Sequence, residues 1–323
     1  MSNFFLKRTT LIVENAINSI AFYKNVLGMH EYYNQKMSVG GKIIPAGDPN
    51  AKVHLGIMEG GHPSVGKLGL LEWCAPRLEE KPLERDRTLS IGKAFFQCQT
   101  PNIQILYSQL QNSPYCLVYR EPYNRVIPER PGGKNIKVKT LSFFDNDGFF
   151  FEVNQPINSV QCDVFNINST TIIVENMEVS VAFYTEILGM EVCYDCVSES
   201  SANFLPIEGD GGLVRCVILK CGTSETGMLG VLQYLNPLLE SPPAYEKYLK
   251  QGQIIFVSGT ENLSLLNSRI SNAQEATKAH IHCAPQFDQV RDASGTIVNL
   301  TTMSFFDPDG FFYELNMRES VSR

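Results

Sequence analysis

Three observations on this 323-residue sequence predict an α+β fold built from four tandem βαβββ modules. The stretch Thr9-Thr10-Leu11-Ile12-Val13-Glu14-Asn15 returns 161 residues later as Thr170-Thr171-Ile172-Ile173-Val174-Glu175-Asn176. The aromatic stretch from Ser142 to Asn154 returns at a shift of 162 as Ser304 to Asn316. Between these anchors lie two more related strand and helix units, residues 93–110 and 253–270. Repetition at this scale fixes architecture before any local propensity is weighed.

In chain order, Thr9 to Val13 is a β-branched run that reads as a strand, and Asn15 is a good helix N-cap. Ile17, Ile20, Ala21, Val26 and Leu27 then recur at helical spacing, and Gly28 sits where a left-handed stop belongs. Residues 29–38, 52–58 and 69–73 read as strands separated by loops rich in Gly and Pro. Ala182-Phe183-Tyr184 and Leu188-Gly189-Met190 repeat Ala21-Phe22-Tyr23 and Leu27-Gly28-Met29, and Leu68 to Trp73 returns as Leu229 to Tyr234. In the second unit, 93–98 is a strand, Thr100 is the expected cap and Pro101 the first helical residue, with Ile103, Leu106 and Leu110 on one face. Residues 253–258, Thr260, Leu263, Leu266 and Ile270 are the later counterparts. Each half closes with a hairpin around Asp-x-Asp-Gly, whose Gly suits the left-handed turn position. The strand after it carries one carboxylate, Glu152 or Glu314, among apolar residues, costly to bury without a partner or a metal. The expected division is 1–155, a linker 156–167, and 168–323.

Composition is globular, with 43% hydrophobic and 19% charged residues. A net charge of −7 and a pI near 5.4 argue against nucleic acid and against an anionic membrane surface. No apolar run reaches the roughly 18 residues of a membrane span, and the N-terminal residues lack the pattern of a signal peptide. Nine cysteines without regular spacing suit a reducing compartment. A cytoplasmic location is the expectation.

The Ala-Phe-Tyr…Leu-Gly-Met words after the first strand and Phe-Phe-Asp-Pro-Asp-Gly…Glu near the end resemble the vicinal oxygen chelate superfamily. That group includes glyoxalase I, bleomycin-resistance proteins and extradiol dioxygenases. The resemblance spans about residues 5–155 and 166–318. It implies that the two units of each half curl together into a cup-shaped mixed sheet with a small-molecule ligand inside, and that the chain is a monomer or homodimer. The superfamily's metal-ligand positions carry over to Arg8, Glu72, Lys93 and Glu152 in the first half. Arg keeps its proton and Lys is a poor ligand, so a salt-bridge cluster facing substrate is expected there, with no metal. In the second half they carry over to Ser169, Gln233, Gln253 and Glu314. Gln233, Gln253 and Glu314 would hold a hard divalent ion together with waters. The two-His-one-carboxylate set of the dioxygenases is missing. The resemblance therefore implies either metal-assisted lyase or isomerase chemistry in the second half, with Glu314 as ligand or general base, or a metal-free binding or resistance protein. In both, the ligand is a small aromatic or oxygen-bearing molecule.

Other motifs carry less. His280 and His282 share one face of a strand but have no third ligand nearby in sequence. His30 and His54 read as partly buried strand residues. Cys193 and Cys196 have redox spacing on a strand, where no helix terminus would stabilise a thiolate, and read as structural. Asp145, Asp147, Asp307 and Asp309 read as turn residues. The glycines at 60–61 and 209–212 read as connections. The basic excess from Arg120 to Lys139 reads as a solvated loop or as a clamp for an anionic ligand at the rim of the first cup, with Arg125 and Arg130 as its candidates. Along the aromatic strands, alternate side chains belong to the core and to a cup wall suited to flat ligands.

Overall fold

The computed structural model describes residues 4–319 apart from 40–41, 46–47, 49, 62–64, 78–86, 129–132, 158–161, 202–204, 208–210, 223–226 and 241–248. The four modules are present. The first holds β1 (Phe5–Ile12), α1 (Ala16–Asn25), β2 (His30–Val39), β3 (Ala51–Glu59) and β4 (Lys67–Ala75). The second holds β5 (Ala94–Gln99), α2 (Ile103–Gln111), β6 (Cys116–Pro128), β7 (Asn135–Asp145) and β8 (Phe150–Pro156). The third holds β9 (Asn166–Ile173), α3 (Met177–Ala182) running on into one π-helical turn (Phe183–Ile187), β10 (Glu191–Ser201), β11 (Gly211–Lys220) and β12 (Met228–Asn236). The fourth holds β13 (Ile254–Gly259), α4 (Leu263–Thr277), β14 (His280–Arg291), β15 (Ile297–Phe306) and β16 (Phe312–Arg318).

Local signals act much as expected. The Asn15 side chain accepts from Asn18 N, and Gly28 and Gly189 take φ of +73° and +80°. The caps of α2 and α4 fall two residues later than expected. Asn102 accepts from the amides of Gln104 and Ile105, and Asn262 from Leu265 N, while Thr260 Oγ1 holds Asn262 N at 3.1 Å. Asn competes well for that position, so Pro101 lies ahead of the helix instead of in it.

The modules pair across the halves. One sheet runs β14-β15-β16-β13-β1-β4-β3-β2 and joins modules 1 and 4; the other runs β10-β11-β12-β9-β5-β8-β7-β6 and joins modules 2 and 3. At the two seams β1 lies antiparallel to β13 and β5 antiparallel to β9. The expectation that each half closes its own cup is thus overturned. Connection length explains it: residues 157–165 join modules 2 and 3 directly, while the longer stretches 76–93 and 237–253 lead from one sheet to the other.

Each sheet curls, leaving a concave face we call cup A (modules 1 and 4) or cup B (modules 2 and 3). The convex faces and their helices share one large core that includes Leu11, Tyr23, Phe96, Phe151, Ile172, Tyr184, Phe256 and Tyr313. Thr9 and Thr170, the repeated residues, meet hydroxyl to hydroxyl at 2.8 Å in that core. The Asp-x-Asp-Gly turns tie the sheets together. Asp145 Oδ2 accepts from Tyr23 Oη at 2.6 Å and Asp147 Oδ2 from Ser19 Oγ at 2.8 Å, so the hairpin of module 2 grips the helix of module 1. Asp307 and Asp309 hold Tyr184 and Ser180 in the same way. Burial first, then the neighbouring Asp147 carboxylate, raises the Asp145 pKa to about 7.

Candidate functional site

Strand alternation decides which residues enter a cup. On β8 the concave side takes Phe150, Glu152 and Asn154, while Phe151 and Val153 enter the central core; β16 repeats this with Phe312, Glu314 and Asn316 outside that core. In cup B, Arg125 of β6 reaches across β7, and its Nη1 donates to Glu152 Oε2 at 2.7 Å. The Glu152 side chain is 7% exposed and that of Arg125 30%. Burial alone would lower the Arg125 pKa, but Glu152 and Tyr123 more than offset it and the guanidinium holds its proton harder than usual. Thr140 Oγ1 donates to Asn154 Oδ1 at 2.5 Å, and Ser169 Oγ to Gln97 Oε1 at 2.9 Å. Cys196 and Cys216 are direct cross-strand partners on β10 and β11, and burial pushes the Cys216 thiol up to about 12. Cys193 takes no part; its thiol donates to Ile218 O.

Cup A has the same plan with a different cation. Asn316 Nδ2 donates to Glu314 Oε1 at 2.8 Å, and Thr302 Oγ1 to Asn316 Oδ1 at 2.6 Å. Arg8 of β1 is level with Glu314, with Val257 between them in the ladder. Burial draws the Arg8 pKa down and the Glu314 carboxylate opposes that, so the two charges interact through the cup. Arg8 Nε donates to Thr10 Oγ1 at 2.9 Å.

The four-residue cluster expected in the first half does not form. Arg8 lies in cup A and Glu152 in cup B. Glu72 points to the convex side, where its Oε2 accepts from Ala16 N at 2.9 Å at the start of α1. Lys93 precedes β5 and donates to Thr88 O at 2.6 Å. Cross-pairing of modules separates Arg8 from Glu152, and strand alternation turns Glu72 away from the cup. Gln233, Gln253 and Glu314 do not converge either. Gln233 is on the cup B sheet and serves the α3 N-terminus, accepting from Met177 N and donating to Glu175 O. Gln253 holds the Lys250 amide just before β13. A pocket at the junction of the sheets does bring Lys93 and Gln253 together, with Asp147, Phe144 and Phe312. Arg130 falls outside the described residues. His54 binds Asn34 at 2.6 Å opposite Glu72, away from either cup.

The donor set argues against a divalent ion in either cup. Each glutamate already faces a guanidinium, which would repel a cation, and no His, Cys, Asp or Glu cluster of ligand spacing occurs among the described residues. What the sequence reading missed is the repeated Glu-x-Asn, visible as Glu152-Val153-Asn154 and Glu314-Leu315-Asn316 once period-two facing is applied.

This architecture has known counterparts. The profile of the Glyoxalase/Bleomycin resistance protein/Dioxygenase superfamily matches residues 166–226, most of module 3. Glyoxalase I from Zea mays superposes over 98% of this chain and 93% of its own, with a TM-score of 0.63 at 16% identity. The chain shares the fold of this superfamily. A proposed dioxygenase from Bacillus subtilis covers 98% of this chain and 86% of its own, with a TM-score of 0.52 at 14% identity. A search of curated proteins finds no match. At these identities the likeness shows the fold alone, the two curled mixed sheets built from four modules.

Proposed function

We propose that the protein binds a small aromatic or oxygen-bearing molecule in its cups, without a metal, and that the arginine and glutamate pairs hold the polar end of that ligand. The observation that carries this reading is the 2.7 Å Arg125–Glu152 ion pair; in cup A, Arg8 and Glu314 interact electrostatically from neighbouring positions in the ladder. A carboxylate locked to a guanidinium is a poor metal ligand and a poor proton acceptor, while a guanidinium with its several N–H donors and the adjacent Asn154 amide are groups that bind oxygen atoms. Fully apolar walls such as Phe144, Phe150 and Leu232 suit a ring. The shared fold supports a ligand in the cup and leaves the reaction open.

The test is calorimetric titration with benzoate, phenylacetate and phenylglyoxal, alongside metal analysis of the purified protein. Binding of at least one probe, weakened by about tenfold in Arg125→Met, is expected. Stoichiometric divalent metal that disappears in Glu314→Ala would overturn the metal-free reading in favour of lyase or isomerase chemistry.

A further inference from the structure

The apolar end of each cup contains a buried polar atom without a partner among the described residues, and the two occupy equivalent positions in the repeat. In cup A it is Nε1 of Trp73 on β4, a residue only 4% exposed; in cup B it is the hydroxyl of Tyr234 on β12, 2% exposed and 161 residues later. Leaving such a donor unsatisfied forfeits its hydration without return, and native cores rarely do so. Finding the same cost at both copies of one position points to a role for the position.

The surroundings are also duplicated. In cup A, His282 on β14 packs edge-on against Phe306 and Phe312, with ring centroids 6.3 and 6.1 Å away. In cup B, Tyr119 on β6 packs against Phe144 and Phe150 at 5.9 and 5.6 Å. His282 Nε2 is a second buried nitrogen without a partner among the described residues. Burial, then His280, draws the His282 pKa down, which favours the neutral ring. Trp73, Phe306 and Phe312 belong to one cluster with Ile12, Leu71 and Ile255, and the His282 ring packs on the two phenylalanines of that cluster. Ile44 belongs to the same cluster, and Ile43 O accepts from Ser304 Oγ at 2.6 Å. The chemistry of the two positions differs. An indole N–H only donates, whereas a phenol hydroxyl donates or accepts.

We propose that the apolar part of cup A around Trp73 is a subsite for a neutral planar ring bearing a hydrogen-bond acceptor, which takes the Trp73 Nε1–H bond while the ring lies among Phe306, Phe312 and His282. This rests on the small-molecule reading above and adds which end of the ligand enters first and what it carries. Cup B, with Tyr234 in place of Trp73, does not share the acceptor-only rule. The two cups therefore take different ligands.

Trp73 is the single tryptophan of the chain, so its indole gives one Nε1–H signal in a 1H–15N spectrum of the intact protein. Acetophenone and α-methylstyrene, alike in shape but with and without an acceptor oxygen, are the probes. Acetophenone should shift the indole signal saturably to lower field and bind about tenfold more tightly at this site than the hydrocarbon, the size of one hydrogen bond. Equal affinity for the two probes, or an indole signal that neither moves, would overturn the proposal. Should neither probe move the indole while a carboxylate still binds in an Arg125-dependent way, the subsite is wrong and the cup reading survives. Loss of both would remove both.

Discussion

Replacing Asp145 by Ala tests how the two sheets are held together. The carboxylate accepts from Tyr23 Oη at 2.6 Å, from Asp147 N at 3.0 Å and from Phe149 N at 2.8 Å, all buried. Alanine leaves three buried donors with no acceptor, and at roughly 1–3 kcal/mol each, less the relaxation of the turn, the expected loss is about 3–5 kcal/mol. Asp145→Asn keeps an acceptor for the amides and should cost far less, about 1 kcal/mol. The pH dependence separates the carboxylate from the shape of the site. Because burial and Asp147 raise the Asp145 pKa to about 7, the protonated form is favoured in the folded state. Its stabilisation is complete below the unfolded value near 3.8 and is lost as pH rises through about 7. Urea unfolding followed by circular dichroism should therefore show the wild type losing stability relative to Asp145→Asn between pH 4.5 and 7.5. A wild type that gains on Asp145→Asn over that range, or an Asp145→Ala variant within about 1 kcal/mol of wild type, would refute the reasoning.

Arg125→Met should destabilise by about 2–3 kcal/mol, because the nearly buried Glu152 loses its counter-ion and the partial exposure of Arg125 moderates the cost; adding Glu152→Gln should restore most of it in the same unfolding assay. Glu72→Ala should cost about 1 kcal/mol through loss of the bond to the first turn of α1, and calorimetry should show probe affinity unchanged. Burial, then Asp309, holds the Asp307 pKa well above its ordinary value, so carbon-detected titration should find that carboxyl still protonated at a pH where exposed aspartates have ionised.

Strand and helix order, the Asn15 cap, the Gly28 stop and the closing hairpins were legible because each is set by neighbours in sequence. Module pairing was not, since β1 against β13 and β5 against β9 are decided by connections such as 76–93 that have no periodic pattern of their own. That one unknown spread to the site. Arg8, Glu152 and Glu314 were recognised as chemically significant, yet grouped by half they suggested partners that lie in the other cup. Glu72 and Gln233 were assigned to the concave side, but each occupies the opposite face of its strand, where a helix N-terminus supplies the donors. Arg125 was visible only as part of a basic run, because nothing in a linear charge count shows that β6 brings it to Glu152.

Cups assembled from both halves are tested most directly by two double-mutant cycles on Arg8. Between Arg8→Met and Glu314→Gln, which face each other only if module 1 pairs with module 4, unfolding energies should show a coupling of about 1 kcal/mol or more. Between Arg8→Met and Glu152→Gln, in different cups, the effects should add within about 0.5 kcal/mol. The reverse pattern, coupling to Glu152 and additivity with Glu314, would contradict the account.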